Sequence, residues 1–320
     1  MICLCCGKKL DEKELSDHGW HKGCIKNFFG TNTLPEIAIS DEELERLANE
    51  AVNKRLTVTG VQKKLSLHLS KDDTYRLTVV DYPTGYILKP QTQEYRHLPE
   101  YEHASMQMAG LVGIETVSHA LIEMQDGYGY ITRREDRRIK KEKIVKYAME
   151  DFCQLAGKQT ADKYKGSYEQ CGKLIDRYSD RPGFDKTELF LRSVFSFVIG
   201  NSDMHLKNFS LIEDASGSRM YHLSPAYDML PVNLVLPEDQ EQTALMLNGK
   251  KKNLRRKDFV AFGSNIGLSE KVIKNLINEV CSKADGMHNI INSSLLATEE
   301  KTGFSELLDD RIRILTGEGT

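Results

Sequence analysis

The stretch "GNSDMHLKNFSLI", residues 200–212, decides how this chain is read. It follows an apolar segment, "LFLRSVFSFVI" (residues 189–199), and runs into "FSLI", which has the composition of a short strand. Between these two core-like elements lie an Asp, a His, a Lys and two Asn. A turn needs only one or two such residues to cap a helix or close a bend. The surplus marks residues 200–208 as a loop that carries chemistry.

Working outward, Asp203 and Asn208 stand five apart, as Asp-x-x-x-x-Asn. A turn rich in Asp, Ser and Gly, "EDASGSR", then joins two strand-like runs, and a further acid, Asp228, follows in "SPAYDMLP" (residues 224–231). Upstream, Lys89 ends a strand-like run in "GYILKP". Phosphoryl transfer from ATP needs these groups together. A carboxylate orients the attacking hydroxyl, an amide oxygen and a second carboxylate hold Mg²⁺, and a lysine neutralises phosphate oxygens. Asp-x-x-x-x-Asn alone is common by chance. With a strand lysine before it and a hairpin-spaced Asp after it, the order is that of protein kinases.

The remainder of the chain predicts an α+β protein. Residues 41–50, "DEELERLANE", read as a short acidic helix, and "LTVTGVQKKLSLHLS" (residues 56–70) as strand, tight turn, strand. "TYRLTVV" and "GYILKP" add strands, "LPEYEHASMQMAGLVGI" (residues 98–114) an amphipathic helix, and "VSHALIEMQDGYGYITRRE" a hairpin turning at Asp126-Gly127. From residue 150 the pattern turns helical, in "EDFCQLAGK", "YEQCGKLIDRYS", "TELFLRSVFSFVI" and "EKVIKNLINEVCSK". A sheet-rich part followed by a helical part predicts two lobes. The expected organisation is a small Cys/His segment over residues 1–40, an N-lobe with ATP loop and strand lysine over 41–140, and a helical C-lobe with the catalytic loop over 141–320.

Bulk properties narrow the functional classes. The 320 residues suffice for a large core, and 40% hydrophobic with 28% charged residues is ordinary globular composition. A formal net charge of −3 gives no basic field for nucleic acid. No apolar run approaches a membrane span, and no secretory h-region opens the chain. Seven cysteines, an odd number with three scattered, fit a reduced cytoplasm better than a disulfide framework. Eight of the fifteen residues 132–146 are Lys or Arg, which reads first as a solvated helix face and second as a surface for an acidic partner or DNA backbone. The run "KKKNLRRK" (residues 250–257) reads in the same way.

At these residues the chain resembles the HipA-type toxin Ser/Thr kinases of bacterial toxin–antitoxin systems. "TGVQKKLSL", "YILKP", "LPEYE", "EDFCQLAG", "GNSDMHLKNFSLI", "SPAYDMLP" and "LMLNGKKKNL" occur in the family's order between about residue 56 and residue 255. The resemblance implies a two-lobed kinase-like fold. By the same resemblance Asp203 is the catalytic carboxylate, His205 faces the phosphates from the same loop, Asn208 and Asp228 hold Mg²⁺, and Lys89 contacts ATP. Gly60 and Gln62 fall in the ATP-facing loop, where a hydroxyl before the glycine is autophosphorylated; here the hydroxyls are Thr57 and Thr59. The segment "TRREDRR" matches the family's inter-lobe link, but Glu135 stands where an aromatic is expected, so no adenine contact is assigned there.

The resemblance further implies a protein substrate among translation factors, aminoacyl-tRNA synthetases leading. It implies a helix-turn-helix antitoxin, with DNA contacted only through that partner and no membrane. Only residues 1–55 precede the Gly60 loop, so the chain resembles a shorter branch in which a small separate protein supplies a further N-terminal subdomain. A rival reading keeps the kinase fold as a scaffold that binds a protein partner or DNA. Retention of Lys89, Asp203, Asn208 and Asp228 together speaks against it.

The N-terminal segment holds a second pattern. Cys3-x-x-Cys6 and His21-x-x-Cys24 have metal-ligand spacing, and a Cys₃His tetrahedral zinc site fits it. The competing reading is reduced, unbound thiols beside an aromatic pocket of Trp20, Phe28 and Phe29. Cys5 and His18 are further candidate ligands.

Overall fold

The computed structural model describes residues 1–11, 18–38, 64–71, 74–80, 84–125, 127–140 and 143–317. Thr57, Thr59, Gly60 and Gln62, and the helix expected at residues 41–50, lie outside the described residues. The chain divides into two compact units, one of Met1–His103 with Val117–Val145 and one of Ala104–Thr116 with Lys146–Thr320.

The first unit opens with a short loop and helix α1 (Lys22–Phe29), closed by Gly30 at a φ of 75°. Strands β1 (Glu36–Ala38), β2 (Leu65–Lys71), β3 (Tyr75–Val80) and β4 (Tyr86–Lys89) follow, then helix α2 (Leu98–Leu111) and strands β5 (His119–Met124) and β6 (Gly127–Arg133). These six strands form one sheet in the order β1-β3-β2-β4-β6-β5. The register puts Leu65, Leu88, Ile131 and Ala120 in one row across β2, β4, β6 and β5. All four are buried, so this row is the sheet's apolar floor. Successive strand residues face opposite sides, so Lys89, next to Leu88, faces away from that floor.

Beyond β6, strands β7 (Arg137–Lys140) and β8 (Lys143–Lys146) pair with each other. The basic run 132–146 is therefore mostly β structure and not the helix face that its composition predicts. Within it Asp136 binds Arg134 at 2.9 Å and Arg137 at 2.7 Å, and Glu135 binds Arg138 at 3.0 Å. Neighbouring acids thus hold three of its cations.

Besides Ala104–Thr116, which includes the later part of α2, the second unit holds β9 (Met149–Asp151) and a single turn, α3 (Phe152–Leu155). A full helix was expected here. Asp151 ends the strand in extended backbone and caps α3, its Oδ1 accepting the Gln154 N–H at 3.0 Å. Helices α4 (Tyr168–Tyr178) and α5 (Pro182–Val198) follow, then β10 (Ser210–Glu213) and β11 (Tyr221–Leu223). Strand β10 lies between β11 and β9, antiparallel to both. Short α6 (Val232–Val235) leads to α7 (Arg256–Asn265), α8 (Glu270–Ser282), α9 (Ala284–Ser293) and α10 (Thr298–Thr316).

Helix α5 is the spine of this unit. Every residue from Leu189 to Val198 is buried, as expected of a helix apolar on all sides. Phe190 stacks on Phe262 of α7 with centroids 5.6 Å apart, Phe197 meets Phe259 at 5.1 Å, and Arg311 of α10 lies 4.8 Å over the Phe197 ring. The helix ends at Gly200, whose φ is 71°. A Cβ there would come 2.6 Å from Leu307 Cδ2, so glycine is what lets the chain turn against α10 into the next loop.

Candidate active site

In the first unit, Lys89 ends β4 and Glu102 lies in the second turn of α2. Lys89 Nζ donates to Glu102 Oε1 at 2.6 Å, with side chains 5% and 0% exposed. The ammonium also sits 5.3 Å from the Tyr130 ring centroid, on the strand partner of Lys89. The helix was expected to be amphipathic. Instead Glu100, Glu102, His103 and Ser105 are all buried in it, and Glu102 and His103 serve interior contacts. A strand lysine bound to a helix glutamate is the arrangement by which protein kinases fix the phosphate-binding lysine.

Beside this pair, His103 Nδ1 and His119 Nδ1 are 3.0 Å apart, and the His119 ring stacks on Tyr130 at 5.9 Å. Burial holds His103 well below the usual imidazole range, with His119 adding to the effect, and burial lowers His119 to about 4. Unfolded, both titrate near 6.5. Stability from this pair is therefore intact above about pH 6.5 and falls as pH drops below it, the His119 share being lost as pH falls toward about 4, at up to about 1.4 kcal/mol per pH unit. A series of melting curves across that window is expected to show the fall, and His119→Gln is expected to flatten it.

In the second unit, the loop after α5 is fixed from several sides. The Asp203 N–H donates to Asn201 Oδ1 at 3.1 Å, the His205 N–H to the Asp203 carbonyl at 2.8 Å, and the Asn208 N–H to the His205 carbonyl at 2.9 Å. The Tyr164 hydroxyl donates to Asp203 Oδ1, which sets the rotation of that carboxylate. His205 is 4% exposed and meets the Tyr164 ring edge-on at 5.0 Å. Tyr168 donates to the Met204 carbonyl at 3.0 Å; its phenol is pushed up by burial, then by Cys171 and Asp203. Lys207 points the other way and binds Asp151 at 2.6 Å, tying the loop to the cap of α3.

The segment "SPAYDMLP" is held as firmly. Buried Arg192 of α5 donates to the Ser224 carbonyl at 2.8 Å, the Ala226 N–H to the Glu115 carbonyl at 2.7 Å, and the Tyr227 hydroxyl to the Lys207 carbonyl at 3.0 Å. These contacts deliver Asp228 in the left-handed region, at a φ of 61°. Such a conformation in a non-glycine residue is costly, and it persists where the surroundings impose it, often at functional sites. The Asn208 side-chain amide donates to the Asp228 carbonyl at 3.5 Å. Asp203, His205, Asn208 and Asp228 are thus gathered in one unit, with oxygen donors of the hard type that Mg²⁺ takes.

Three residues of this arrangement carry no sequence signal of the kind used above. Glu102 is legible only as a helix acid thirteen residues after a strand lysine. Tyr164 lies in a loop, where no periodicity marks it. Asp151 stands in "EDFCQLAG" but gives no hint of its lysine.

The fold is kinase-like. The chain belongs to the HipA-like C-terminal domain family, whose pattern matches residues 56–287. Among solved structures it is similar to HipA of Shewanella oneidensis, in a complex with HipB and operator DNA, with a TM-score of 0.73 at 19% identity over 87% of this chain and 71% of that one. It is also similar to the proinflammatory kinase CtkA of Helicobacter pylori, with a TM-score of 0.54 at 15% identity over 79% of this chain and 93% of that one. At the sequence level it is 28% identical to a candidate kinase of Haemophilus influenzae, over 82% of each chain. It is 29% identical to the candidate kinase Y4mE of Sinorhizobium fredii, of which it spans 58%. It is 24% identical to the Ser/Thr-protein kinase toxin HipA of S. oneidensis, over 60% of this chain and 46% of that protein. No described helix is long and apolar enough to cross a membrane.

Proposed function

We propose that the chain is an ATP- and Mg²⁺-dependent protein Ser/Thr kinase acting as the toxin of a toxin–antitoxin system. The observation that carries this reading is the Asp203 loop, where an oriented carboxylate, an amide and a conformationally forced aspartate are held in one frame. Asp203, turned by Tyr164, orients the acceptor hydroxyl and takes its proton. His205, packed on Tyr164, positions that tyrosine. Asn208 and Asp228 would hold Mg²⁺, which would shield phosphate charge. Lys89, aimed by Glu102, binds the nucleotide phosphates.

The acceptor is a protein in the translation apparatus, an aminoacyl-tRNA synthetase being the leading class. The antitoxin is a helix-turn-helix repressor that also carries any contact with DNA, a small separate protein completes the N-terminal side, and the complex works in the cytoplasm. In the basic run 250–257, Lys250 is held by Asp258 at 2.8 Å and Lys251 by Glu241 at 3.1 Å. Induced expression in a bacterial host tests the toxin assignment. Growth arrest by wild type, absent with Asp203→Asn at equal protein level, is expected; equal arrest by both would overturn the kinase as its cause.

Regulation follows from the ATP loop. Thr57 or Thr59 is phosphorylated by the chain itself, adding about −1.5 to −2 charge where nucleotide phosphates bind and weakening ATP binding. Intact-mass analysis is expected to find phosphate on wild type, mapping to residues 57–59, and none on Asp203→Asn. Unmodified wild type that is active on its substrate would remove autophosphorylation from the account.

A further inference from the structure

The first unit holds a second cluster with no part in phosphoryl transfer. The ligand atoms of Cys3, Cys6, His21 and Cys24 all lie within 4.8 Å of one another. His21 Nδ1 is 3.4 Å from Cys6 Sγ and 3.9 Å from Cys24 Sγ. Tetrahedral zinc with Zn–S near 2.3 Å and Zn–N near 2.05 Å requires ligand–ligand separations of about 3.5–3.8 Å. The geometry points to a structural zinc ion bound by Cys3 Sγ, Cys6 Sγ, Cys24 Sγ and His21 Nδ1.

Local structure supports that ligand set. Cys3-x-x-Cys6-Gly7 closes a tight turn in which the Gly7 N–H donates to the Cys3 carbonyl at 2.9 Å, with Gly7 at a φ of 69°. The turn brings two sulfurs to one side. The other two ligands come from the start of α1. His21 occupies the N-cap position, where Ser, Thr, Asp or Asn is preferred, and makes no side-chain cap. Its ring is turned to the sulfurs instead. His21 Nε2 lies 3.2 Å from the Lys9 carbonyl. With Nε2 donating there, the neutral ring presents a lone pair at Nδ1, which is the outer hydrogen bond that metal-bound histidines make. The His21 backbone N–H lies 3.4 Å from Cys3 Sγ, the contact a thiolate ligand takes. Three sulfurs and an imidazole suit zinc and exclude Mg²⁺ and Ca²⁺, and four protein ligands leave no open position for catalysis.

The ion would clamp a module too small to fold alone. Helix α1 has eight residues, short of what an isolated helix needs. Trp20, Phe28 and Phe29 pack together and against Tyr86, on the strand that ends in Lys89. The Leu4 carbonyl accepts the Leu121 N–H at 2.8 Å, so the metal-binding turn also covers the open edge of β5. Metal loading is thereby linked to the sheet that carries the lysine, with no role in the reaction.

The test uses the full chain purified anaerobically without chelator. One zinc per chain is expected by elemental analysis, lost from Cys6→Ser and Cys24→Ser and retained by Cys5→Ser, which changes the thiol between the two turn ligands. Wild type produced with Co²⁺ is expected to show the intense visible bands of tetrahedral thiolate-bound cobalt, which reports on the site even where the Cys→Ser variants fail to fold. Chelation is expected to lower the melting temperature. Metal-free wild type that takes up neither zinc nor cobalt would overturn the site, and loss of zinc from Cys5→Ser with retention in Cys24→Ser would overturn the ligand set.

Discussion

Asp203→Asn is expected to lower phosphoryl transfer by roughly 10³-fold without lowering the melting temperature. The substitution keeps side-chain volume and keeps an oxygen for the Tyr164 hydroxyl, the bond that turns this carboxylate. What it removes is the negative charge proposed to accept the acceptor's proton. Asp203 is 7% exposed, so loss of its charge also relieves a desolvation cost. Rates measured beside thermal melts separate the two effects. A variant that transfers phosphate at the wild-type rate would show that Asp203 is not the catalytic carboxylate.

Lys89→Met is expected to cost both activity and stability. The lysine stands 2.6 Å from Glu102, whose side chain is fully buried. Taking the cation from a buried carboxylate typically costs about 3–5 kcal/mol, whereas replacing both partners by neutral groups is far milder. Lys89→Met alone should therefore lower the denaturation midpoint sharply, and Lys89→Met with Glu102→Gln should recover most of it. Activity should stay lost in both, because the phosphate contact proposed for Lys89 is gone in each. Full activity in the stabilised double variant would remove Lys89 from the nucleotide site.

These two residues also mark what the sequence disclosed. Lys89 and Asp203 stand out in the sequence because each borders a strongly patterned element, a short apolar strand or the mostly apolar second half of helix α5. Glu102 could not, because a helix with acids at positions 100 and 102 reads as amphipathic until its burial is known. Tyr164 acts from a loop through one hydroxyl, with no periodic context. The stretch 150–158 reads as one helix because Phe152 and Leu155 have helical spacing, whereas β9 gains its bonds from β10, some sixty residues away. The basic run at 132–146 was misread for a related reason. Lys and Arg favour helix locally, but β6, β7 and β8 are set by pairing across strands. The N-terminal Cys/His spacing is plain in the sequence, and the fold brings Cys3, Cys6, His21 and Cys24 within 4.8 Å of one another.

The central claim is that the chain moves phosphate from ATP onto protein. Purified wild type and Asp203→Asn, each incubated with γ-labelled ATP and Mg²⁺, alone and with cell extract, test it most directly. The account predicts label on protein with wild type, either on the chain or on an extract band, and none with Asp203→Asn. Absence of protein-bound label in every wild-type reaction, from protein that is folded and binds ATP, would contradict it and leave a kinase fold that serves as a binding scaffold.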